Sequence, residues 1–295
     1  MATRQKDSGT LTVSPLHPLI GAEIGGVDLG GELDDGTLAA IKQAWYDHSV
    51  LLFRDQEISE DAQLRFAAEF GPIATRVIPP PGTDKPKGPE WTNLMMITDH
   101  VDADGKPLGA LGHGDMWFHS DKCYRERPHR VSFLYGIEIP SEGGHTKFAS
   151  LYAAYDNMPD DLKQRLDGAM VMQGYDYGNT RRVNLEVDLE DILHFRQPII
   201  VRNPDSGRKA LYVARLNTMW IEGMSRADSE EILEVLFALT EDPAITYEHV
   251  WRPGDLLMWD NLACLHARTD WPKEQTRALR RCTVEGERLW QEGRS

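Results

Sequence analysis

Apolar residues recur along the chain with the two spacings that distinguish helices from strands. In residues 35–48, Leu38, Ile41 and Trp45 follow one another at intervals of three and four, which predicts an amphipathic helix. The same kind of spacing predicts a helix that Ser59 caps and that ends at Gly71-Pro72. Two later helices are predicted over residues 150–169, with a new start near Pro159, and over residues 228–239.

Short apolar runs bounded by turn residues predict strands between these helices. They cover residues 21–29, 50–53, 131–139, 199–202, 210–213 and, with tight turns at Pro253-Gly254 and Asp260-Asn261, 251–284. Short strands separated by turns, with a few helices beside them, are typical of two packed antiparallel sheets. We therefore expect a mainly β fold with flanking α-helices, arranged as a double-sheet jelly roll.

The length of 295 residues fits one large β domain. We expect a single domain over residues 1–295, with a flexible tail at residues 1–12. Residues 79–89 read PPPGTDKPKGP and cannot form regular structure, so they are either a lid over a binding site or a surface loop. The second candidate for a lid is residues 174–192, which include Tyr175, Tyr177, Arg181 and Arg182.

The net charge of −15 argues against partners that carry many negative charges. A field of that sign repels nucleic acid and anionic lipid, and no apolar run reaches the roughly 20 residues of a membrane helix. Three cysteines without a signal peptide predict reduced thiols and a cytoplasmic protein. A small anionic substrate stays compatible with this charge, provided that arginines gather in a local pocket.

A histidine and an aspartate two residues apart are candidate metal ligands. The segment MWFHSDKCY at 116–124 is predicted to be a strand, on which His119 and Asp121 point to the same face. His266 follows an apolar strand and a turn and can supply a third ligand. Two imidazoles and one carboxylate leave coordination positions open, as non-haem iron(II) oxygenases require. His113 and Asp115 have the same spacing, but glycines flank His113, so they form a weaker candidate pair.

Three arginines close to the end of the chain are candidates for the basic pocket. Arg277 and Arg281 are four residues apart, so they share one face of a strand, and Arg280 points to the other face. Guanidinium groups that face inward are costly unless they meet anions, and each can bind a carboxylate through two hydrogen bonds. The alternative is that they are solvated arginines on an edge strand.

Several blocks in this order resemble the family of taurine dioxygenase and 2,4-dichlorophenoxyacetate dioxygenase, the TauD/TfdA family. The blocks are LHPLIGAEIGGVDL (16–29), the HSD block at 119–121, GGHTKF (143–148) with the following LYAAYDNMP, GDLLMWDNLACLHARTDW (254–271) and the arginines that follow. The resemblance implies a double-stranded β-helix with an iron site between its two sheets. It also implies a homo-oligomer, either a dimer or a tetramer.

The resemblance assigns roles to individual residues. It implies that His119, Asp121 and His266 are the iron(II) ligands and that Arg277 and Thr146 bind the distal carboxylate of the cosubstrate 2-oxoglutarate. Arg281 matches the arginine that holds the acidic group of the primary substrate, and Asp115 stands close to the place of a substrate-contacting asparagine.

The activity that the resemblance implies is oxygen-dependent hydroxylation of a small organic acid, with release of succinate and carbon dioxide. The acid carries a carboxylate or a sulfonate, as in an aryloxyalkanoate, and ether or carbon–sulfur cleavage can follow hydroxylation. Ascorbate is expected to support activity in vitro. Two other classes stay open on the residues alone, namely a non-catalytic jelly-roll protein that binds a small acid and a cupin-type metal isomerase.

Three positions depart from the family pattern. Phe118 stands where a tryptophan usually precedes the first histidine, His145 replaces an acidic or amide residue, and Asp115 replaces the asparagine. These changes leave the predicted iron ligands intact and put taurine and 2,4-dichlorophenoxyacetate in doubt as substrates.

Overall fold

The helices predicted from the apolar spacing are present in the structure, a computed structural model. It describes residues 10–75, 93–105, 108–109, 112–176 and 180–290. Within these ranges the α-helices are α1 (Asp35–His48), α2 (Glu60–Ala68), α3 (Leu151–Asn157), α4 (Asp160–Arg165) and α5 (Arg226–Thr240). Side-chain oxygens of Asp34, Ser59, Ser150 and Ser225 cap four of them by accepting hydrogen bonds from backbone N–H groups of the first turn. None of the helices in the described ranges is long and apolar enough to span a membrane.

The strands of the described ranges are, in chain order, β1 (Thr12–Pro15), β2 (Ala22–Gly25), β3 (Val50–Phe53), β4 (Met95–Thr98), β5 (Met116–His119), β6 (His129–Glu138), β7 (Thr146–Ser150), β8 (Met170–Tyr175), β9 (Leu193–Pro198), β10 (Ile200–Arg202), β11 (Lys209–Leu211), β12 (Thr218–Ile221), β13 (Thr246–His249), β14 (Leu256–Asp260), β15 (Cys264–Arg268) and β16 (Ala278–Glu285).

Two sheets form the body of the molecule. The larger has the strand order β1-β2-β3-β14-β6-β16-β4, and the smaller has the order β13-β7-β15-β5. Neighbouring strands pair antiparallel in both, except that β2 and β3 pair parallel. The strands β12-β8-β9 form a third sheet, and β10 and β11 form a hairpin. This arrangement confirms the predicted mainly β jelly roll with flanking helices.

Alternation along the strands builds a core on each face of the large sheet. Leu51 of β3 lies in a cluster with Trp45 of α1 and Phe66 of α2, so the helices cover one face. Leu52, the next residue, lies in a cluster with Phe148 of β7, so the small sheet covers the other face. Each such side chain adds about 1.5–3 kcal/mol to the free energy of unfolding when it is fully buried. The space between the two sheets is where the predicted site residues lie.

Some element predictions need correction. The stretch 150–169 does start anew after Pro159, as predicted, and forms α3 and α4, but its helical part ends at Arg165 and not at residue 169. The predicted tail ends in an ordered strand, since Thr12 begins β1. The predicted loop 79–89 lies outside the described residues. Residues 174–192 are not one loop, because β8 extends to Tyr175 and a 3₁₀ helix spans Leu189–Asp191.

Candidate metal centre and its arginines

Strand pairing in the small sheet brings two of the predicted ligands together. His119 ends β5 and lies directly opposite His266 of β15 in the antiparallel register. The two imidazole rings are 4.0 Å apart between centroids. One ligand atom each from His119, Asp121 and His266 lies within 4.8 Å of the others, and these three form the one such cluster found in the described ranges.

Asp121 reaches the same point from a turn, not from a strand. We predicted that the strand continues through Asp121, but β5 ends at His119 and Lys122 adopts a left-handed backbone with φ 60°. The hydroxyl of Ser120 donates to the backbone carbonyl of Asn261 at 2.8 Å, and the backbone N–H of Asp121 points to Asn261 Oδ1 at 3.4 Å. These contacts anchor the turn to the end of β14, so Asp121 faces the two histidines without strand geometry.

The two carboxylate oxygens of Asp121 have different surroundings. Oδ2 accepts a hydrogen bond from Ser132 Oγ at 2.5 Å and forms an ion pair with Arg281 Nη2 at 2.5 Å. Oδ1 lies 3.8 Å from His266 Nε2. The carboxylate is therefore held through one oxygen, and the other faces the histidine pair.

Electrostatics keep the three groups in the forms that bind a metal. Burial lowers the pKa of His119 and, more strongly, that of His266, and the neighbouring His119 and Arg281 lower the latter further. Burial alone would raise the pKa of Asp121, but Arg281 and the two imidazoles hold it far below its ordinary value. At neutral pH the cluster therefore has two neutral imidazoles and one carboxylate.

Hydrogen bonding also selects the imidazole nitrogen that is available in His119. Its Nδ1 lies 2.8 Å from the backbone carbonyl of Trp117, which can only accept, so Nδ1 carries the hydrogen and Nε2 has the free lone pair. His266 Nδ1 is buried without a hydrogen-bond partner among the described residues. This donor set of two nitrogens and one carboxylate oxygen suits iron(II) with open positions, and no fourth ligand of the kind found in a structural zinc site joins it among the residues that the structure describes.

Arg277 is a buried cation close to the start of β16. Its side chain is 1% exposed, and its Nε donates to the backbone carbonyl of Gly144 at 3.0 Å. Burial lowers its pKa to about 9, and the like charge of Arg268 acts in the same direction while Asp99 opposes it. A guanidinium in this position gains from a bound anion.

Thr146 lies two residues after Gly144, at the start of β7. It is buried and stands opposite Arg268 of β15 in the sheet register. Its Oγ1 accepts a hydrogen bond from Trp251 Nε1 at 3.0 Å. Because that bond uses the hydroxyl as an acceptor, its own hydrogen is available for an acidic ligand.

The arginines of β16 point to opposite faces, as alternation predicts. Arg281 contacts Asp121 between the two sheets, and 17% of its side chain is exposed. Arg280 points towards α2, where its Nε donates to Gln63 Oε1 at 2.7 Å and its Nη2 to the carbonyl of Ile58 at 2.8 Å. The alternative of solvated edge-strand arginines is therefore wrong for Arg280 and Arg281, which both have internal partners.

The second candidate pair, His113 and Asp115, is used differently. His113 Nε2 lies 3.0 Å from Asp99 Oδ2, and Asp115 Oδ1 accepts from the backbone N–H of Asp270 at 2.7 Å. Asp115 is exposed and fastens its loop to the segment after β15. The two side chains do not belong to the cluster of His119, Asp121 and His266.

The predicted lid segment 174–192 borders the strand that carries His119. The backbone carbonyl of Thr180 accepts from the N–H of Trp117 at 2.9 Å. Arg182 binds both carboxylate oxygens of Glu230 on α5, and Tyr175 stacks on Tyr124 with 4.6 Å between ring centroids. Tyr177 lies outside the described residues.

Three residues of this region were not singled out from the sequence. Ser132 and Asn261 contact Asp121 or its turn, and Arg268 donates from Nη2 to the carbonyl of Gly114 at 2.6 Å. Ser132 could have been noticed in the sequence, because it is a single hydroxyl residue in the apolar segment predicted as the strand 131–139. Asn261 lies in the block 254–271 that resembles the family, where its position predicted only a turn.

Comparison with known proteins agrees with this geometry. The family model "Taurine catabolism dioxygenase TauD, TfdA family" matches residues 12–283. A pentalenolactone F synthase from Streptomyces avermitilis is 34% identical over 279 residues, covering 89% of this chain and 90% of its own. An alpha-ketoglutarate-dependent 2,4-dichlorophenoxyacetate dioxygenase from Cupriavidus pinatubonensis is 30% identical over 288 residues, covering 93% and 98%.

Among solved structures, that of AAD-2 in complex with Mn(II) and N-oxalylglycine has a TM-score of 0.78 at 27% identity. The match covers 96% of this chain and 100% of that chain. The fold, the cluster of two histidines and an aspartate and the family model therefore agree over nearly the whole length. The chain belongs to the TauD, TfdA family of dioxygenases.

Proposed function

We propose that this iron(II)- and 2-oxoglutarate-dependent dioxygenase hydroxylates a small organic acid, and that His119, Asp121 and His266 hold its iron. The observation that carries the proposal is the convergence of three ligand atoms within 4.8 Å of one another, beside the partly exposed Arg281. The chemistry supplied by iron(II) and 2-oxoglutarate is the coupling of oxidative decarboxylation, which gives succinate and carbon dioxide, to hydroxylation by oxygen. Family membership favours this function over a non-catalytic acid-binding protein or a cupin-type isomerase.

Arg277 and Thr146 are the proposed binding residues for the distal carboxylate of 2-oxoglutarate. The buried guanidinium offers hydrogen bonds beyond the one that Nε gives to Gly144, and the Thr146 hydroxyl has a hydrogen to donate. A carboxylate there would neutralise a cation whose pKa burial has lowered to about 9. The contact also fixes the orientation of the cosubstrate, because a bidentate pair is planar.

Arg281 is the proposed partner of the acidic group of the primary substrate, a carboxylate or a sulfonate. It is partly exposed and lies next to Asp121, so a bound acid would stand close to the metal ligands. Relatives named for 2,4-dichlorophenoxyacetate, (S)-phenoxypropionate and sulfate esters support an acidic substrate. An aryloxyalkanoate is one such acid, and ether cleavage would follow hydroxylation of the carbon that bears its oxygen. Asp115, which is exposed and already bonded to the segment after β15, is a proposed substrate contact at the rim.

The proposal is tested by succinate release from a panel of acids in the presence of iron(II), 2-oxoglutarate, oxygen and ascorbate. We expect succinate formation to rise above the substrate-free rate for carboxylate or sulfonate substrates, and Asp121→Ala to abolish it. Matching neutral amides or alcohols should give no rise. Equal stimulation by acids and by their neutral analogues would contradict the role of Arg281, and normal succinate release by Asp121→Ala would contradict the ligand assignment.

We further propose a cytoplasmic homo-oligomer. The three cysteines are free and buried, which supports a reducing compartment, and the family resemblance supports a dimer or a tetramer. Light scattering of the purified chain tests the second part, with a mass of two or four times 33.4 kDa expected and a monomer mass contradicting it.

A further inference from the structure

One buried hydroxyl stands against the second oxygen of the Asp121 carboxylate. Ser132 is the fourth residue of β6 (His129–Glu138), and it is 0% exposed. Its neighbours Val131 and Phe133 face the helices, so Ser132 faces the small sheet and the site. A hydroxyl buried in such a position costs about 1–3 kcal/mol unless it is hydrogen-bonded. Its place here therefore calls for a specific partner.

The partner of Ser132 is the Asp121 carboxylate, at the end of a chain of three hydrogen bonds in which each side chain donates to the next. Trp259 Nε1 donates to Asn261 Oδ1 at 3.0 Å, Asn261 Nδ2 donates to Ser132 Oγ at 3.0 Å, and Ser132 Oγ donates to Asp121 Oδ2 at 2.5 Å. Trp259 stands directly opposite Ser132 in the pairing of β14 with β6. All of these side chains are buried, so water does not compete with the chain.

Donor and acceptor chemistry allows only this direction. The indole N–H of Trp259 and the backbone N–H of Asp121 can only donate, and both point to the same atom of Asn261, which must be its oxygen. The amide NH₂ then faces Ser132, whose oxygen accepts, so the Ser132 hydrogen is directed to the carboxylate. Bonds aligned in this way polarise one another and strengthen the last one.

We propose that Ser132, oriented by Asn261 and Trp259, is a positioning residue that fixes Asp121 Oδ2 and keeps Oδ1 directed to the metal. The inference rests on the proposed metal ligands. Arg281 binds the same oxygen, but it is also the proposed partner of the substrate acid. The Ser132 bond holds the carboxylate in place independently of what Arg281 binds.

The test compares Ser132→Thr with Ser132→Val, which have the same shape and differ in the hydroxyl alone. The readout is the dissociation constant for Mn(II), measured without oxygen or substrate from the loss of the free-ion electron paramagnetic resonance signal. Removing a contact of this kind typically weakens metal binding 10–100-fold. We expect Ser132→Thr to bind Mn(II) within about threefold of the wild type and Ser132→Val to bind it at least about tenfold more weakly.

Ser229→Ala is the matched control for loss of a buried hydroxyl. Ser229 is 1% exposed and accepts from the backbone N–H of Ile221 at 2.8 Å, away from the metal cluster. Its removal should lower the melting temperature and leave the Mn(II) constant unchanged. Equal Mn(II) constants for Ser132→Thr and Ser132→Val would overturn the positioning role.

Two further variants keep the proposal testable in every case. If the Ser132 variants do not fold, Trp259→Phe removes the donor that orients Asn261 and keeps an aromatic ring in its place. An unchanged Mn(II) constant in that variant would overturn the proposal. Asp121→Ala separates the two levels of inference. If Asp121→Ala binds Mn(II) as the wild type does, the proposed metal ligands are wrong. If Asp121→Ala loses Mn(II) binding but Ser132→Thr and Ser132→Val have equal Mn(II) constants, only the positioning role of Ser132 is rejected.

Discussion

At the scale of single residues, charge balance between buried groups explains the site. Asp121 is ion-paired with Arg281 and faces two imidazoles, so it stays ionised although it is buried. Arg277 is compensated less, because burial and the like charge of Arg268 lower its pKa to about 9 and Asp99 opposes them only in part. The charge of Asp121 is thus matched within the protein, whereas the charge of Arg277 is matched in part and gains further from a bound anion.

This difference predicts unequal effects of removing the two arginines. Arg277→Ala should raise the 2-oxoglutarate concentration needed for half-maximal succinate formation by about 100-fold, the equivalent of about 3 kcal/mol for charge-assisted hydrogen bonds. Arg281→Ala should raise it by less than about threefold at saturating iron(II) and should instead raise the requirement for the primary substrate. Initial rates at varied concentrations of both compounds measure this.

Arg277→Lys is the control that keeps the positive charge and loses the planar guanidinium. Its 2-oxoglutarate requirement should lie between those of the wild type and Arg277→Ala. Equal effects of Arg277→Ala and Arg281→Ala on the 2-oxoglutarate requirement would contradict the assignment of Arg277 to the cosubstrate and of Arg281 to the primary substrate.

At the scale of elements, the turn between β6 and β7 sets the position of Arg277. Gly144 has φ 63°, and a Cβ atom built on it would lie 2.9 Å from Arg277 Cδ and 3.0 Å from its Nε. The glycine is required both for the left-handed backbone and for the close approach of the guanidinium. The turn therefore connects local backbone conformation to the proposed cosubstrate site.

We predict that Gly144→Ala raises the 2-oxoglutarate requirement at least about tenfold, because Arg277 must move and the loss of one charge-assisted hydrogen bond is worth about 1.5 kcal/mol or more. Gly168→Ala is the matched control, since Gly168 has φ 73° and nothing within 4 Å of its Cβ position. Both variants should lose about 1–2 kcal/mol of stability from backbone strain. A similar 2-oxoglutarate requirement for the two variants would contradict the proposed contact.

Elements with a continuous apolar face could be predicted from the sequence, and two strands whose apolar pattern is interrupted by a buried glutamine could not. The predicted helix 35–48 and strand 50–53 match α1 and β3, because apolar spacing there reflects burial directly. Strands β8 and β9 were missed because Gln173 and Gln197 interrupt the apolar pattern. Both side chains are buried and use their amides to bond backbone carbonyls, at 3.3 Å and 3.0 Å. A single sequence does not show that such a polar residue is buried and hydrogen-bonded.

The candidate site follows the same division. Strand alternation gave the opposed faces of Arg280 and Arg281. The spacing of His119 and Asp121 and the position of His266 suggested the metal ligands, and the resemblance supported the same grouping. Neither gave the contact between Arg281 and Asp121, because the register between distant strands depends on the packing of the whole sheet. The turn that carries Asp121 was predicted as strand, since its left-handed Lys122 leaves no mark on the apolar pattern.

At the scale of the whole molecule, buried histidines make stability depend on pH. His249 is 0% exposed, and its Nε2 lies 3.1 Å from Asp255 Oδ2 while its Nδ1 lies 3.1 Å from the Tyr247 hydroxyl. Burial lowers its pKa below 6.5, Asp255 opposes this, and the charges of Arg54 and His145 add to it. The unfolded chain therefore takes up the proton at a higher pH than the folded chain does.

Stability should consequently be complete above pH 6.5 and fall as the pH drops below that value, by up to about 1.4 kcal/mol per pH unit for each such group. Urea unfolding at pH 7.5 and 5.5 measures the loss for the wild type and for His249→Gln, whose amide can still donate to Asp255. We expect the loss to be smaller in His249→Gln. An equal or larger loss in that variant would contradict a neutral buried His249.

We expect one metal ion to bind between the two sheets, at His119, Asp121 and His266. Anomalous diffraction from crystals grown with Mn(II) and N-oxalylglycine tests this most directly. The predicted result is a single strong peak within roughly 2.0–2.5 Å of one atom each from His119, Asp121 and His266. A peak at His113 and Asp99 instead, or no peak among the three predicted ligands, would contradict it.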